Sequence, residues 1–289
     1  MIGTSRDLAW PDLIWSHFSR PRFGEFDQRA AAAAAAGFAA IGLYAYDYRR
    51  MRDEEGRSPA ELRDVLATNE MLLAEIEIVR GWWATSGSAH EECVEMEALA
   101  FEMADEFGVR YLQVIAGNDC STDDYVTGFG ELCDRAADHG LLVGIEWLPF
   151  TDVRSAADAQ RIVEAADRPN GGYCVDIWHH ARGANDIEMI RALGGDRVFA
   201  IQMNDGTLQQ TNELDYRSDC LVSRVVPGAG EFDCVGLIRT LHEMGVTSPI
   251  SLEVCSNELW AAPVATAAQR AADGMRQVLA AAPSGLGSL

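Results

Sequence analysis

The sequence predicts an α/β fold, a single (β/α)8 TIM barrel over residues 1–289, and three observations predict it. Eight short β-branched or aliphatic runs alternate with helical patterns, as a parallel sheet wound from βα units requires. Eight such units in about 250 residues match the usual size of a barrel. No GxGxxG turn follows the first run, which disfavours a doubly wound dinucleotide-binding sheet.

The strands are expected at Leu13 to Ser16, Ile41 to Ala45, Leu73 to Val79, Tyr111 to Ala116, Leu142 to Trp147, Gly172 to Ile177, Val198 to Met203 and Ile250 to Val254. Helices are expected at Phe26 to Ala36, Pro59 to Met71, His90 to Phe107, Thr122 to His139, Ser155 to Ala166, Asp186 to Leu193, Asp233 to Met244 and Pro263 to Leu279. Ser58 before Pro59, and Ser155 before an alanine-rich turn, supply helix starts. Gly206 to Glu231 is the longest connection and is expected to cover an active site. Ala282 to Leu289 reads as a frayed tail, and no linker, repeat or second domain is evident.

Composition narrows the function. The longest uninterrupted apolar stretch, Ala30 to Ala36, is far shorter than the roughly 20 residues that cross a bilayer. Met1 to Leu13 lacks a secretory apolar segment, so a cytoplasmic location with no membrane partner is expected. With 23 basic and 45 acidic residues the net charge is -22, which would repel nucleic acid. Every basic residue is arginine, and the absence of lysine excludes a Schiff-base aldolase, a pyridoxal-phosphate lysine and a P-loop lysine. Seven dispersed cysteines without a CxxC read as reduced and structural.

Barrel chemistry sits at the C-terminal rim of the strands, so polar residues late in strands are the informative ones. Glu146 in GIEWLP, Asp176 and His179 in VDIWHH, Gln202 and Asp205 in IQMND, and Glu253 in SLEV occupy such places. Carboxylates converging on one rim would repel unless a cation joins them. A divalent ion held by Glu146, Asp176, Gln202 and Glu253 resolves the conflict, and oxygen ligands suit Mg2+ or Mn2+, with Co2+ or Zn2+ as substitutes. The alternative is that these acids cap helices or pair with arginines such as Arg182 and Arg224. Because His179 and His180 are adjacent, only one can face the site, and the three-residue step from Asp176 selects His179. Trp15, His17, Trp82, Trp83 and Trp147 fall near strand ends, where aromatic faces could stack on a sugar or simply pack. Glu75 and Glu77 are read as facing opposite ways, with no assigned role.

At these residues, and in RVVPGAGEFD (Arg224 to Asp233), the sequence resembles the xylose isomerase-like superfamily of sugar isomerases and epimerases, over most of the chain. The resemblance implies a metal on Glu146, Asp176, Gln202 and Glu253, with His179 and Arg224 touching a carbohydrate or keto-sugar substrate, and it implies a tendency to self-associate. The implied reaction is proton abstraction beside a carbonyl through a metal-stabilised enediolate, with Glu146 and Glu253 as the proton-transfer groups. Isomerisation or epimerisation leads. A lyase or dehydratase on a keto-cyclitol or 3-keto-glycoside is the alternative, ahead of an endonuclease IV-like repair nuclease or a non-catalytic barrel. Endonuclease IV uses a histidine-rich three-zinc site, which the six histidines here do not supply.

Overall fold

Side chains along a strand alternate between its faces, and in this chain the alternation separates an aliphatic layer from a polar bore. The computed structural model describes residues 8–20 and 25–282. Positions 1–7 of the stretch searched for a leader, and the expected tail from residue 283, lie outside the described residues. Eight parallel strands, β1 (Leu13–Trp15), β2 (Ala40–Tyr44), β3 (Leu72–Val79), β4 (Tyr111–Ile115), β5 (Leu142–Glu146), β6 (Gly171–Asp176), β7 (Val198–Met203) and β8 (Ile250–Leu252), close in sequence order, with β1 paired to β8. Each expected strand is present within about two residues of its expected limits.

Leu112, Val114, Val143, Ile145, Val175, Ile201 and Met203 are fully buried between sheet and helices and form the main core. The intervening residues point into the bore. Branched aliphatics commonly fill such a bore; here it holds Glu75, Glu77, Gln113, Glu146, Cys174, Asp176, Gln202 and Ser251, all buried. Buried polar groups need partners, and these have them. The Ser251 hydroxyl donates to Glu75 at 2.7 Å and that of Ser16 to Glu77 at 3.0 Å, while the Gln202 amide donates to Gln113 Oε1 at 3.0 Å. The opposite facing expected for Glu75 and Glu77 is therefore corrected: residues two apart on a strand share a face, and both enter the bore. Gly42 makes room for them, because a Cβ there would collide with the Glu77 carboxylate.

The expected helix starts hold. The Ser58 side chain accepts from Glu61 N while Glu61 reaches back, a capping box with Pro59 at the first turn. The Ser155 hydroxyl accepts from Asp158 N at 3.3 Å. The structure adds short helices, Ala45–Asp53, Ile177–Ala181, Tyr216–Cys220 and Asn257–Ala261. Most are single turns too short to be stable alone, and the sequence pattern does not reveal them. Ile177–Ala181 follows β6 directly and is capped by Asp176, which accepts from Trp178 N at 2.7 Å.

All seven cysteines are free. Among the described residues, no helix is long and apolar enough to cross a membrane.

Candidate active site

Glu146 ends β5, Asp176 ends β6, Gln202 lies one residue before the end of β7, and Glu253 follows β8. Register sets Asp176 beside Gln202 and Gln202 beside Ser251. The helix capped by Asp176 then turns His179 back over the rim. His179 Nε2 lies 3.5 Å from Glu146 Oε1 and 3.9 Å from Asp176 Oδ2. One ligand atom from each of Glu146, Asp176 and His179 falls within 4.8 Å of the others, and this buried triad could hold a metal ion.

Arg224 completes the cluster from the long loop after β7. Its Nη1 donates to Asp176 Oδ2 at 2.7 Å and to Glu253 Oε2 at 2.8 Å, and its Nη2 lies 3.3 Å from His179 Nε2. The arginine pairing weighed as an alternative is thus present for Asp176 and Glu253, while Arg182 pairs with Asp219 at 3.0 Å. The loop is held by Asp205, whose carboxylate accepts from Gly206 N at 2.7 Å, Phe232 N at 2.9 Å and Gly228 N at 3.0 Å. Gly230 packs so tightly here that a Cβ would strike the Asp205 carboxylate. The PGAGEFD segment is accordingly a scaffold that aims Arg224, whose amide is pinned to Cys255 O at 3.0 Å.

One guanidinium cannot neutralise three acids, and the charge falls unevenly. Burial alone would push Asp176 up, but Arg224, His179, the Asn204 amide and Trp178 N–H outweigh it and hold this carboxyl below its ordinary range. Glu146 is pushed up to about 8 by burial and then by the charge on Asp176. Glu253 is also raised well above the carboxylate range: burial dominates, and the pull of Arg224 does not offset it. Burial holds His179 neutral, at about 3. The negative charge of the cluster therefore falls first on Asp176, while Glu146 and Glu253 are held above the ordinary carboxylate range.

Gln113, buried on β4, is a site residue that the sequence reading missed. It donates to Glu146 Oε2 at 2.7 Å and accepts from Gln202 Nε2, which also donates to Glu253 Oε1 at 3.2 Å. A continuous amide chain thus joins the two glutamates and orients both. Gln202 faces Glu253 through its nitrogen, while its oxygen accepts from the Cys174 thiol at 3.3 Å. The signal for Gln113 was its place two residues before the end of β4, on the inward face.

A cavity of about 400 Å³ opens above the cluster, with Glu146, His179, Arg224 and Glu253 in its floor. Trp83, Tyr44, Phe18 and Phe150 form aromatic walls, and Arg217 and Leu221 descend from the long loop as expected. The other aromatic expectations are corrected. Trp15 and Trp147 neighbour inward residues and so face outward into the core, Trp15 stacking on Phe38 at 5.9 Å. Trp82 is locked by donating to Ile115 O at 2.9 Å and by packing on Tyr125 and Phe129. His17 sits behind Phe18 and Tyr44, 2.8 Å from Arg29 Nη1.

A family model described as xylose isomerase-like TIM barrel matches residues 30–279. Among curated proteins, 3-dehydroshikimate dehydratase of Pseudomonas putida is 26% identical over 261 residues, covering 89% of this chain and 40% of the relative. Inosose isomerase of Bacillus subtilis is 29% identical over 133 residues, 45% of this chain and 46% of that one. The chain thus spans less than half the length of that dehydratase. Among solved structures, the IOLI protein with a bound zinc atom superposes with a TM-score of 0.82 at 19% identity, over 94% of this chain and 99% of that one, a likeness of fold.

Proposed function

This chain belongs to the xylose isomerase-like TIM barrel family, and from that premise we propose that it removes a proton beside the carbonyl of a polyhydroxylated cyclic ketone and expels a neighbouring hydroxyl as water. The observation that carries the reading is the pair Glu146 and Glu253, two carboxyls of raised pKa on one cavity floor, joined through Gln113 and Gln202.

The residues fit a divalent cation. Of three buried acids, Asp176 and Glu253 share one guanidinium and Glu146 has none, a neutral imidazole stands among them, and Glu146, Asp176 and His179 converge. Glu146, Asp176 and His179 would hold the ion, with Gln202 joining if its amide turns its oxygen inward and the protonated Glu253 standing beside it; Mn2+ or Mg2+ suits such donors. When bound, it supplies Lewis acidity toward the substrate's carbonyl oxygen.

The chain's own groups handle the protons. Glu146, steadied at Oε2 by Gln113, presents Oε1 toward the cavity and in its ionised form takes the proton from carbon. The electron pair left by that C–H bond forms the double bond as the adjacent C–O bond breaks. Glu253 holds a proton to give the departing hydroxide, so that water leaves and the proton gained by Glu146 restores the balance. Arg224 and neutral His179 hold substrate oxygens in place, and the aromatic walls exclude water.

Isomerisation or epimerisation, in which the proton returns to carbon, is the second reading. Elimination is preferred because the dehydratase relative aligns with 89% of this chain and the inosose isomerase with 45%. Mass analysis after incubation in deuterium oxide with 3-dehydroshikimate and with an inosose separates the two. Dehydration gives a product lighter by one water, and isomerisation gives unchanged mass plus deuterium on carbon. Neither change with either compound would count against both.

A further inference from the structure

His179 and Arg224 stand 3.3 Å apart on the cavity floor but belong to different elements, the single turn after β6 and the long loop after β7. A single turn and a long loop do not keep a fixed spacing unaided. Arg182, at the C-terminal end of the turn, ties one to the other. Its Nη2 lies 3.0 Å from Asp219 Oδ2 and its Nη1 donates to Thr207 O at 3.2 Å, both on the long loop. The Arg182 and Asp219 side chains are buried, at 5% and 3% exposure. A buried ion pair adds little net stability over apolar packing, but it can fix one arrangement of the elements that carry it. Asp219 passes the constraint on, because its carbonyl accepts from Ser223 N at 3.0 Å, next to Arg224.

The same guanidinium is stacked on rings from both elements. Its carbon lies 5.0 Å from the centroid of the Trp178 ring, on the His179 turn, and 5.5 Å from that of Tyr216, on the long loop. The guanidinium carbon of Arg224 lies 5.6 Å from that Trp178 ring as well. Trp178 is itself fixed, since a Cβ on Gly206 would strike its ring. Desolvated guanidinium–ring contacts are stronger than exposed ones and demand a planar group, so one ring orients both arginines.

We infer that Arg182 is a positioning residue: through Asp219 and the Trp178 ring it holds the long loop against the His179 turn and so keeps Arg224 on Asp176 and Glu253. The inference deepens the proposed function and rests on it only for the use made of Arg224 at the cavity floor.

The test uses the intact chain and two readouts. The first is hydrogen exchange followed by mass spectrometry. Arg182→Gln is expected to speed exchange of the Ser223, Arg224 and Val225 amides, which bond to Asp219 O, Cys255 O and Asp205 O, by about 10-fold, with β5 and β6 unchanged. Arg182→Gln/Asp219→Asn leaves no stranded charge; it is expected to do the same and serves if the single variant does not fold. Arg135→Gln, which breaks an exposed pair with Glu97, is expected to match wild type. The second readout is calorimetric titration of Mn2+ alone. With Arg224 loosened from the acids, Mn2+ is expected to bind about 10-fold more tightly to either Arg182 variant. In the Arg224→Leu background the Arg182 substitution is expected to add nothing, because both changes remove the hold of one guanidinium. A residue that only stabilised the fold would not produce that non-additivity. The proposal is overturned if loop exchange is unchanged, if β5 and β6 speed up with it, if Arg135→Gln speeds it equally, if the Arg182 variants leave Mn2+ affinity unchanged or lower it, or if the Arg182 and Arg224 substitutions act additively. Should wild type and all variants fail to bind Mn2+, the cation reading fails and exchange alone decides. Failure of the proposed reaction shows elsewhere, as no product or proton exchange with any ketone, and leaves both readouts as expected.

Discussion

Glu146→Gln is expected to lower kcat by about 10²- to 10⁴-fold, the usual span for loss of a general acid–base group, while the protein remains folded. The amide keeps an acceptor for Gln113 Nε2, now 2.7 Å from Glu146 Oε2, so the chain to Gln202 persists. Stability should move the opposite way from activity. In the fold Glu146 holds its proton up to about pH 8, against an ordinary value of 4.5. The folded state therefore binds more protons than the unfolded state between those values, and metal-free wild type loses stability as pH rises through that window. The variant lacks this penalty. Its unfolding free energy should gain on that of wild type from about pH 5 upward and level off above about pH 8. Glu253→Gln should lose activity likewise. Full activity in either variant would remove that residue from proton transfer, and a large loss of stability would make its role structural.

Replacing Arg224 with Leu is expected to cost about 3–5 kcal/mol of stability in the metal-free protein, because breaking a buried ion pair strands the remaining charge. Asp176, fully buried, would keep its contacts with Asn204 and Trp178 N–H but lose the guanidinium at 2.7 Å. The thermal midpoint should fall by roughly 10 °C on the scale of a chain this size. Saturating Mn2+ should raise the variant's midpoint more than that of wild type, since an ion among the acids replaces the missing positive charge. A loss below about 1 kcal/mol, as for an exposed pair, would show that Arg224 does not neutralise the cluster.

Late-strand carboxylates made much of this site legible. Glu146, Asp176 and Glu253 interrupt aliphatic runs, and only function or pairing justifies burying them. Period-two facing turns Trp15 and Trp147 outward, sets Glu75 and Glu77 on one face, and draws Gln113 in with Gln202. His179 was found from its step after Asp176, although the single turn presenting it has no sequence signature.

On the proposed reading, Glu146, Asp176 and Glu253 tolerate one another because a divalent cation would sit among them. Calorimetric titration of Mn2+ into the metal-free protein, at about pH 6 and about pH 9, tests it most directly. The prediction is one ion per chain, bound more tightly at the higher pH as the Glu146 proton leaves near pH 8, with binding lost in Asp176→Asn. Absence of binding at both pH values, or binding that Asp176→Asn leaves intact, would contradict it.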